Sequence, residues 1–469
     1  MSSIVRAHDV AYAYLQHGYG LPTVSLDVAA GEAVLIAGPS GSGKSTLARC
    51  LSGLIPHLYR GELSGDVWLD DLPTSTTPLW RLAERAGLVF QNPSAQMLTV
   101  TAEEEIVFGL ENLGLSPSVV EERLEAALRR FALVRFRQRS PQTLSGGEQQ
   151  KLALAAITAR QPPVLILDEP LSMLDSTASM DLVAHLADLA RSGTAVIVCE
   201  HRAQYLRTIP ELRTVQLNGS TPTPLAPPAD IAGSSSAAPH ASPFTLTVSG
   251  LSVTLGGRPV LRDLSFSAQS GHVLAIVGRN GVGKTTLLRA LTGLETHRGQ
   301  ITVDGERPDL GMVFQNPDLQ LFNATVREEI LYRLEDPNLE RYAWLTAVLG
   351  LSRYDQTPPL LLSEGEKKRL ALAVTLMRAP RHGVLLDEPA LGQDARHKEI
   401  LMRLAHTLAN TGQLVVLTTH DLSLAAQADR LLILGQDGFV ADGPPHDVLQ
   451  HDAPWAEVGL RVPPWVVSA

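Results

Sequence analysis

Apolar residues in this chain gather into short, unbroken runs closed by glycine or acidic residues. "AVLIAG" (33–38), "VLILDEP" (164–170), "VLAIVG" (273–278) and "VLLDEP" (384–389) are the clearest. Such runs, bounded by turn residues, predict buried strands. Between them the pattern changes. In "VVEERLEAALRRFALV" (119–134) apolar positions recur every three or four residues, which predicts an amphipathic helix. Strands alternating with helices predict an α/β sheet core. No apolar run approaches the roughly 18 to 20 uncharged residues of a membrane-spanning helix.

The same pattern occurs twice. "GPSGSGKST" (38–46) returns as "GRNGVGKTT" (278–286), and "LVFQNPSAQM" (88–97) returns as "MVFQNPDLQL" (312–321). "TLSGGEQQKLALA" (143–155) is matched by "LLSEGEKKRLALA" (361–373), with Glu364 where the first copy has Gly146. "VCEH" (198–201) is matched by "LTTH" (417–420), and from the third phrase onward the offset stays at 218 to 219 residues. This predicts a duplicated domain rather than a short-period solenoid. The second copy is more compact, with 31 residues from Lys284 to Gln315 against 47 from Lys44 to Gln91. Between the copies, residues 219–243 are rich in proline, serine and alanine and predict a flexible linker. The expected domains are therefore 1–218 and 244–469.

At 469 residues, each half can bury a core of its own. The N-terminal "MSSIVRAHDVAYAY" lacks a basic start and an apolar stretch, so no signal peptide is expected. Cys50 and Cys199 suit neither a disulfide framework nor a zinc site and are expected in the core. These features predict a cytoplasmic chain. A net charge of −10 weighs against nucleic acid as the principal partner.

Each G-x-x-x-x-G-K-[ST] phrase follows an apolar strand and predicts a phosphate cradle. Glycines turn backbone N–H groups inward, the following helix offers its positive end, and the lysine reaches the outer phosphates. In the first copy the cradle is Gly38, Pro39, Ser40, Gly41, Ser42, Gly43, Lys44, Ser45 and Thr46. In the second it is Gly278, Arg279, Asn280, Gly281, Val282, Gly283, Lys284, Thr285 and Thr286. The Ser45 and Thr285 hydroxyls suit Mg²⁺, which prefers hard oxygen ligands. Asp168 and Asp387 end their strands where they could hold the same ion, and Glu169 and Glu388 where they could orient and deprotonate water.

The set of P-loop, glutamine, LSGGE-type phrase, Asp-Glu pair and histidine, in this order, resembles the nucleotide-binding domain of ATP-binding cassette (ABC) proteins. The resemblance covers nearly the whole chain outside the linker and extreme ends. It implies two tandem P-loop NTPase domains, each with a mainly parallel sheet core, an antiparallel β subdomain and a helical subdomain. It also implies ATP and Mg²⁺ as cofactors and head-to-tail pairing of the two halves. Lys44, Asp168, Glu169, Gln91 and His201 would then face Ser363 and Gly365, while Lys284, Asp387, Glu388, Gln315 and His420 would face Ser145 and Gly147. Glu169, Glu388, His201 and His420 would be catalytic. Ser45, Gln91, Asp168, Thr285, Gln315 and Asp387 would be the metal set. Asp175 and Asp394 resemble the family's loop linking the sites, and Tyr14 its adenine-stacking aromatic. Leu255 stands in the matching place of the second half.

"FQNPSAQML" and "FQNPDLQLF", with "TAEEEIVFGLENLGL" and "TVREEILYRL" after them, resemble the energy-coupling-factor (ECF) importers of vitamins and transition metals. That likeness implies an integral membrane coupling subunit and a substrate-capture subunit as partners, at the cytoplasmic side of the membrane. Residues 91–109 and 315–332 would lie beside the membrane partner, with Met97, Leu98, Leu321 and Phe322 as apolar contacts; the alternative is that these four pack inside their own domain. The competing expectation is a tandem cassette ATPase acting on the ribosome or another cytoplasmic machine. Those relatives have a long charged helical linker, unlike residues 219–243. A nonhydrolytic scaffold is a third class, opposed by the presence of both glutamates and both histidines.

Overall fold

The computed structural model describes residues 3–15, 20–39, 41–217 and 243–467. The expected linker 219–243, except its last residue, and the P-loop residue Ser40 lie outside the described residues. The chain divides into two compact units, one built mainly from each half of the sequence, with Asp175–Thr177 grouped with the second.

In the first unit, β1 (Ser3–Tyr14), β2 (Gly20–Ala29), β4 (Gly61–Leu69) and β5 (Leu72–Pro73) form an antiparallel sheet in the order β2-β1-β4-β5. The apolar runs of the sequence form a second sheet, which is parallel. It contains β3 (Ala33–Ala37), β6 (Ala86–Val89), β7 (Val164–Asp168), β8 (Ala195–Cys199) and β9 (Arg213–Gln216), ordered β6-β7-β8-β3-β9. Every residue of β6, β7 and β8 is buried, which is why these strands show no polar alternation. Val34 and Ile36 of β3 join Leu47 and Leu51 of the helix Lys44–Leu51 in one core, so the P-loop is anchored at both ends.

The second unit repeats this plan. β10 (Thr245–Leu255), β11 (Arg258–Gln269) and β13 (Arg298–Val303) form the antiparallel sheet. β12 (Val273–Val277), β14 (Leu310–Val313), β15 (Gly383–Asp387), β16 (Leu414–Thr418), β17 (Arg430–Leu434) and β18 (Phe439–Gly443) form the other, ordered β14-β15-β16-β12-β17-β18. Only the β17–β18 edge is antiparallel. The first unit's longer path to Gln91 contains β5 and the short helix Leu79–Ala83, whereas the second passes from Val303 to Leu310 with little between.

Helices form the third part of each unit. They are Ala102–Glu111, Pro117–Arg130 and Gly146–Ala159 in the first, and Val326–Leu331, Leu339–Val348 and Glu364–Met377 in the second. The periodicity over 119–134 extends past the observed helix end. The helix stops at Arg130 because Ala132 takes the left-handed conformation (φ 56°), and a 3₁₀ turn follows at Val134–Phe136. Among the described residues no helix is long and apolar enough to cross a membrane.

Candidate functional site

Each P-loop wraps the N-terminus of a helix. Gly43 (φ 96°) and Gly283 (φ 112°) precede Lys44–Leu51 and Lys284–Leu291 in the left-handed region that glycine enters without steric cost. The loop is also too tight for a side chain at its start. A Cβ on Gly38 would lie 2.6 Å from Ser42 Oγ and 2.8 Å from the Leu217 carbonyl, and one on Gly278 would lie 2.6 Å from the Leu434 carbonyl. Lys44 Nζ donates to the carbonyls of Gly38 (2.8 Å) and Pro39 (3.0 Å). Lys284 does the same to Gly278 (2.8 Å) and Arg279 (3.2 Å). Both ammonium groups are therefore fixed over their own cradles with a third donor to spare. Gly41, Gly281, Arg279 and Asn280 form the exposed rim, Ser42 is buried, Val282 is half-buried, and Thr46 and Thr286 lie one turn into the helices.

Adjacent parallel strands bring the acidic pair to the cradle. Asp168 is level with Cys199 on the neighbouring strand, and Asp387 with Thr418. In the second unit, Asp387 is fully tethered: Thr418 Oγ1 donates to Oδ1 (2.7 Å) and Thr285 Oγ1 to Oδ2 (2.8 Å). Burial pushes its carboxyl up, and these two hydroxyls oppose the shift. In the first unit, Ser45 bonds Asp168, but a thiol replaces the second hydroxyl and Asp168 Oδ1 has no hydrogen-bond partner among the described residues. Burial pushes the Asp168 carboxyl up to about 6. Cys199 and Cys50 are both fully buried core residues, as expected.

Glu169 and Glu388 follow at left-handed φ values of 50° and 49°, a conformation costing an ordinary residue roughly 1–2 kcal/mol. In the first unit, Gln91 Nε2 donates to Glu169 Oε2 (2.8 Å), while His201 Nδ1 stands 3.4 Å from Oε1. In the second, Gln315 is exposed and His420 Nδ1 lies 2.8 Å from Glu388 Oε2. Burial raises the Glu388 carboxyl, but His420 and Lys284 together leave the net shift downward. The two sites thus hold one set of groups in different contacts.

The LSGGE-type phrases begin the helices Gly146–Ala159 and Glu364–Met377. Ser145 and Ser363 are their N-caps, with N–H and Oγ both donating to the phrase's own glutamate: 2.9 Å each to Glu148, 2.8 Å each to Glu366. This is a capping box, and its S-x-x-E spacing is visible within the phrase itself. Gly147 and Gly365 occupy the second helical position. Glu364 is exposed and its carboxylate turns to Lys367 (3.3 Å), itself bonded to Asp318 (2.8 Å). Its first-unit counterpart is more crowded: a Cβ on Gly146 would lie 2.8 Å from Met173 Sδ, so the methionine side chain would have to shift, whereas Gly392 stands at the position matching Met173.

Asp175 and Asp394 are buried beyond the acidic pairs, Asp394 as N-cap of Ala395–Asn410. The Tyr14 hydroxyl accepts from Arg49 (2.9 Å) and lies 3.3 Å from Thr46 Oγ1, placing the ring beside the P-loop helix. Leu255 is partly exposed at the end of β10. Two organisers escaped the sequence reading. Buried Glu105 accepts from Leu98 N (2.9 Å) and Thr99 N (3.0 Å), and buried Glu329 from Phe322 N (2.8 Å) and Asn323 N (2.7 Å). They fix the segments after Gln91 and Gln315. There Met97 and Leu321 pack inside their own unit, the alternative expected for this group, while Leu98 (74% exposed) and Phe322 (67%) project outward.

The constellation fits ATP with Mg²⁺: a cradle that rejects side chains, a lysine over it, and carboxylate and hydroxyl oxygens beside it. The family comparison agrees. The model for "ABC transporter" matches residues 21–172 and 261–391, and the chain belongs to this family as an ATPase with two tandem cassette domains. A Treponema denticola protein provisionally named an ABC transporter ATP-binding protein is 34% identical, covering 89% of this chain and 92% of its own. Bacillus subtilis (strain 168) YkoD, provisionally named an HMP/thiamine import ATP-binding protein, is 33% identical over 92% of this chain and 89% of its own. The solved structure of an RNase-L Inhibitor superposes with a TM-score of 0.65, covering 96% of this chain and 92% of its own. At 21% identity, that likeness shows the tandem fold alone.

Proposed function

We propose that the chain is the ATP-hydrolysing subunit of an ECF-type importer of a small nutrient: a vitamin, vitamin precursor or transition metal ion. On this reading residues 1–218 and 244–469 are two nucleotide-binding domains joined by 219–243. They pair head to tail within the chain at the cytoplasmic side of the membrane. Lys44 and Lys284 bind phosphate. Ser45, Gln91 and Asp168, with Thr285, Gln315 and Asp387, hold Mg²⁺, which would supply positive charge near the phosphates. Glu169 and Glu388 orient water and take its proton, and His201 and His420, beside those glutamates, are catalytic groups that contact the outer phosphate and the attacking water. Ser363 and Gly365 complete the site of Lys44, and Ser145 and Gly147 that of Lys284.

The observation that carries the importer reading is the pair of outward apolar side chains, Leu98 and Phe322, just downstream of Gln91 and Gln315. A buried glutamate ties the backbone of each segment, and Val100 and Leu319 are exposed in the same segments, so each carries more than one large outward apolar side chain, the kind of grouping that marks a contact surface. They suit the coupling subunit of an importer that also carries a substrate-capture subunit. The import named for YkoD supports the same class of cargo. The test is co-expression of the full chain with its membrane partners. Leu98→Ser with Phe322→Ser should abolish cofractionation with membranes while the purified chain keeps its ATP turnover. Unchanged membrane association would sink the docking assignment. Separately, replacing Glu169 and Glu388 together by Gln should lower turnover by about 10²–10⁴-fold.

A further inference from the structure

The strained glutamates need support from the loop that follows them, and the two units supply it differently. In both, the glutamate carbonyl accepts from the residue three positions on: Ser172 N to Glu169 O at 3.1 Å, Leu391 N to Glu388 O at 3.2 Å. A left-handed non-glycine residue persists only where its surroundings over-determine it. One buried cation per unit adds the further constraint. In the first it is Arg202, in the histidine turn, whose Nη1 donates to Leu171 O (2.7 Å) and lies 3.5 Å from Leu174 O. Buried Glu200 completes the hold, accepting from Leu171 N (3.3 Å), His201 N (2.8 Å) and Arg202 N (2.9 Å). In the second it is Lys368, in the helix Glu364–Met377, whose Nζ donates to Leu391 O (2.9 Å) and lies 3.3 Å from Glu388 O.

Among the described residues neither device is repeated in the other unit. Asp421 stands where Arg202 would be and pairs with Lys398 (2.7 Å) while capping its own helix. Gln150 stands where Lys368 would be, buried, with no side-chain hydrogen bond among the described residues. We propose that Arg202 and Lys368 are non-equivalent positioning residues, each latching the loop behind one catalytic glutamate. Arg202 ties Glu169 to its histidine turn, and Lys368 ties Glu388 to the helix that begins with Ser363. The proposal rests on the glutamates being the bases, so its test carries a readout independent of turnover.

In full-length Glu169→Gln, where only Glu388 turns over, adding Lys368→Gln should lower kcat about tenfold and change the KM for ATP less than about twofold. Lys368→Arg should restore at least about half of that loss. In Glu388→Gln, Arg202→Gln and Arg202→Lys should behave in parallel. By hydrogen exchange of the nucleotide-free chain, the Leu391 amide should lose about tenfold protection in Lys368→Gln, and the Leu174 amide in Arg202→Gln. Gln is the natural residue at the matching place of the first unit, so Lys368→Gln should fold. Should Glu169→Gln or Glu388→Gln leave turnover unchanged, the base assignment fails while the exchange arm still judges the latch. Unaltered protection at Leu391 and Leu174 overturns the latch whatever the kinetics.

Discussion

Cys199→Thr places in the first unit the hydroxyl that the second unit already has at Thr418. The two positions occupy the same register beside their aspartates, so the new Oγ1 reaches the unpartnered Asp168 Oδ1 as Thr418 reaches Asp387 (2.7 Å). Burial raises the Asp168 carboxyl from 3.8 to about 6. At about 1.4 kcal/mol per unit, ionising it in the metal-free fold costs roughly 3 kcal/mol. Because its folded value lies above its unfolded one, Asp168 gains protons on folding between roughly pH 4 and 6. Stability therefore falls as pH rises through that window, and the cost is complete above it. A hydrogen bond to an ionised group contributes about 1.5–3 kcal/mol, against about 0.5–1.5 for a neutral one. In chelator-treated, nucleotide-free protein, thermal unfolding followed by circular dichroism should show a midpoint about 3–6 °C higher for Cys199→Thr near pH 8. Near pH 4 the gain should shrink to about half or less, because Asp168 is then protonated. An equal gain at both pH values, or a loss near pH 8, would refute the argument.

Glu364→Gly should change ATP turnover by less than about threefold, since the carboxylate already faces Lys367; a rise of orders of magnitude would show that it suppresses a site. Gly146→Glu should force the flexible Met173 side chain aside and destabilise the first unit by about 1 kcal/mol or less, and Met173→Gly should relieve most of it in a double-mutant cycle read by urea unfolding. Thr101→Ala removes the capping box of Ala102–Glu111 and should cost about 1 kcal/mol by the same assay. Burial, reinforced by Arg130, lowers His185 to about 4 against a weaker pull from Asp188. Its contribution is present above its ordinary 6.5 and lost as pH falls toward 4, so His185→Leu should flatten acid-induced loss of stability in that window.

The placement of the candidate site residues was legible where spacing alone constrains it. G-x-x-x-x-G-K-[ST] after an apolar run can hardly fold otherwise, and a five-residue strand ending in Asp-Glu delivers its acids to the cradle. The buried organisers were not. "EEE" at 103–105 offers three glutamates, and only tertiary packing selects Glu105 to hold Leu98 and Thr99. Met97 and Leu98 are adjacent apolar residues, and nothing local says that one turns inward and the other out. The end of the helix at Arg130 depends on a left-handed alanine that no composition marks. Arg202 and Lys368 were visible only as departures between the two copies, at places where either copy alone looks ordinary.

Carrying both cassettes in one chain has a genetic consequence. In an assembly of identical subunits, one codon change alters every site at once, so a variant must be tolerable in duplicate. Here each change is confined to one half. The thiol at 199 leaves the hydroxyl at 418 untouched, and the glutamate at 364 can arise beside Gly392 while Gly146 stays packed on Met173. Duplication followed by fusion thus turns a symmetric engine into two separately mutable ones, always inherited together and always made in equal number.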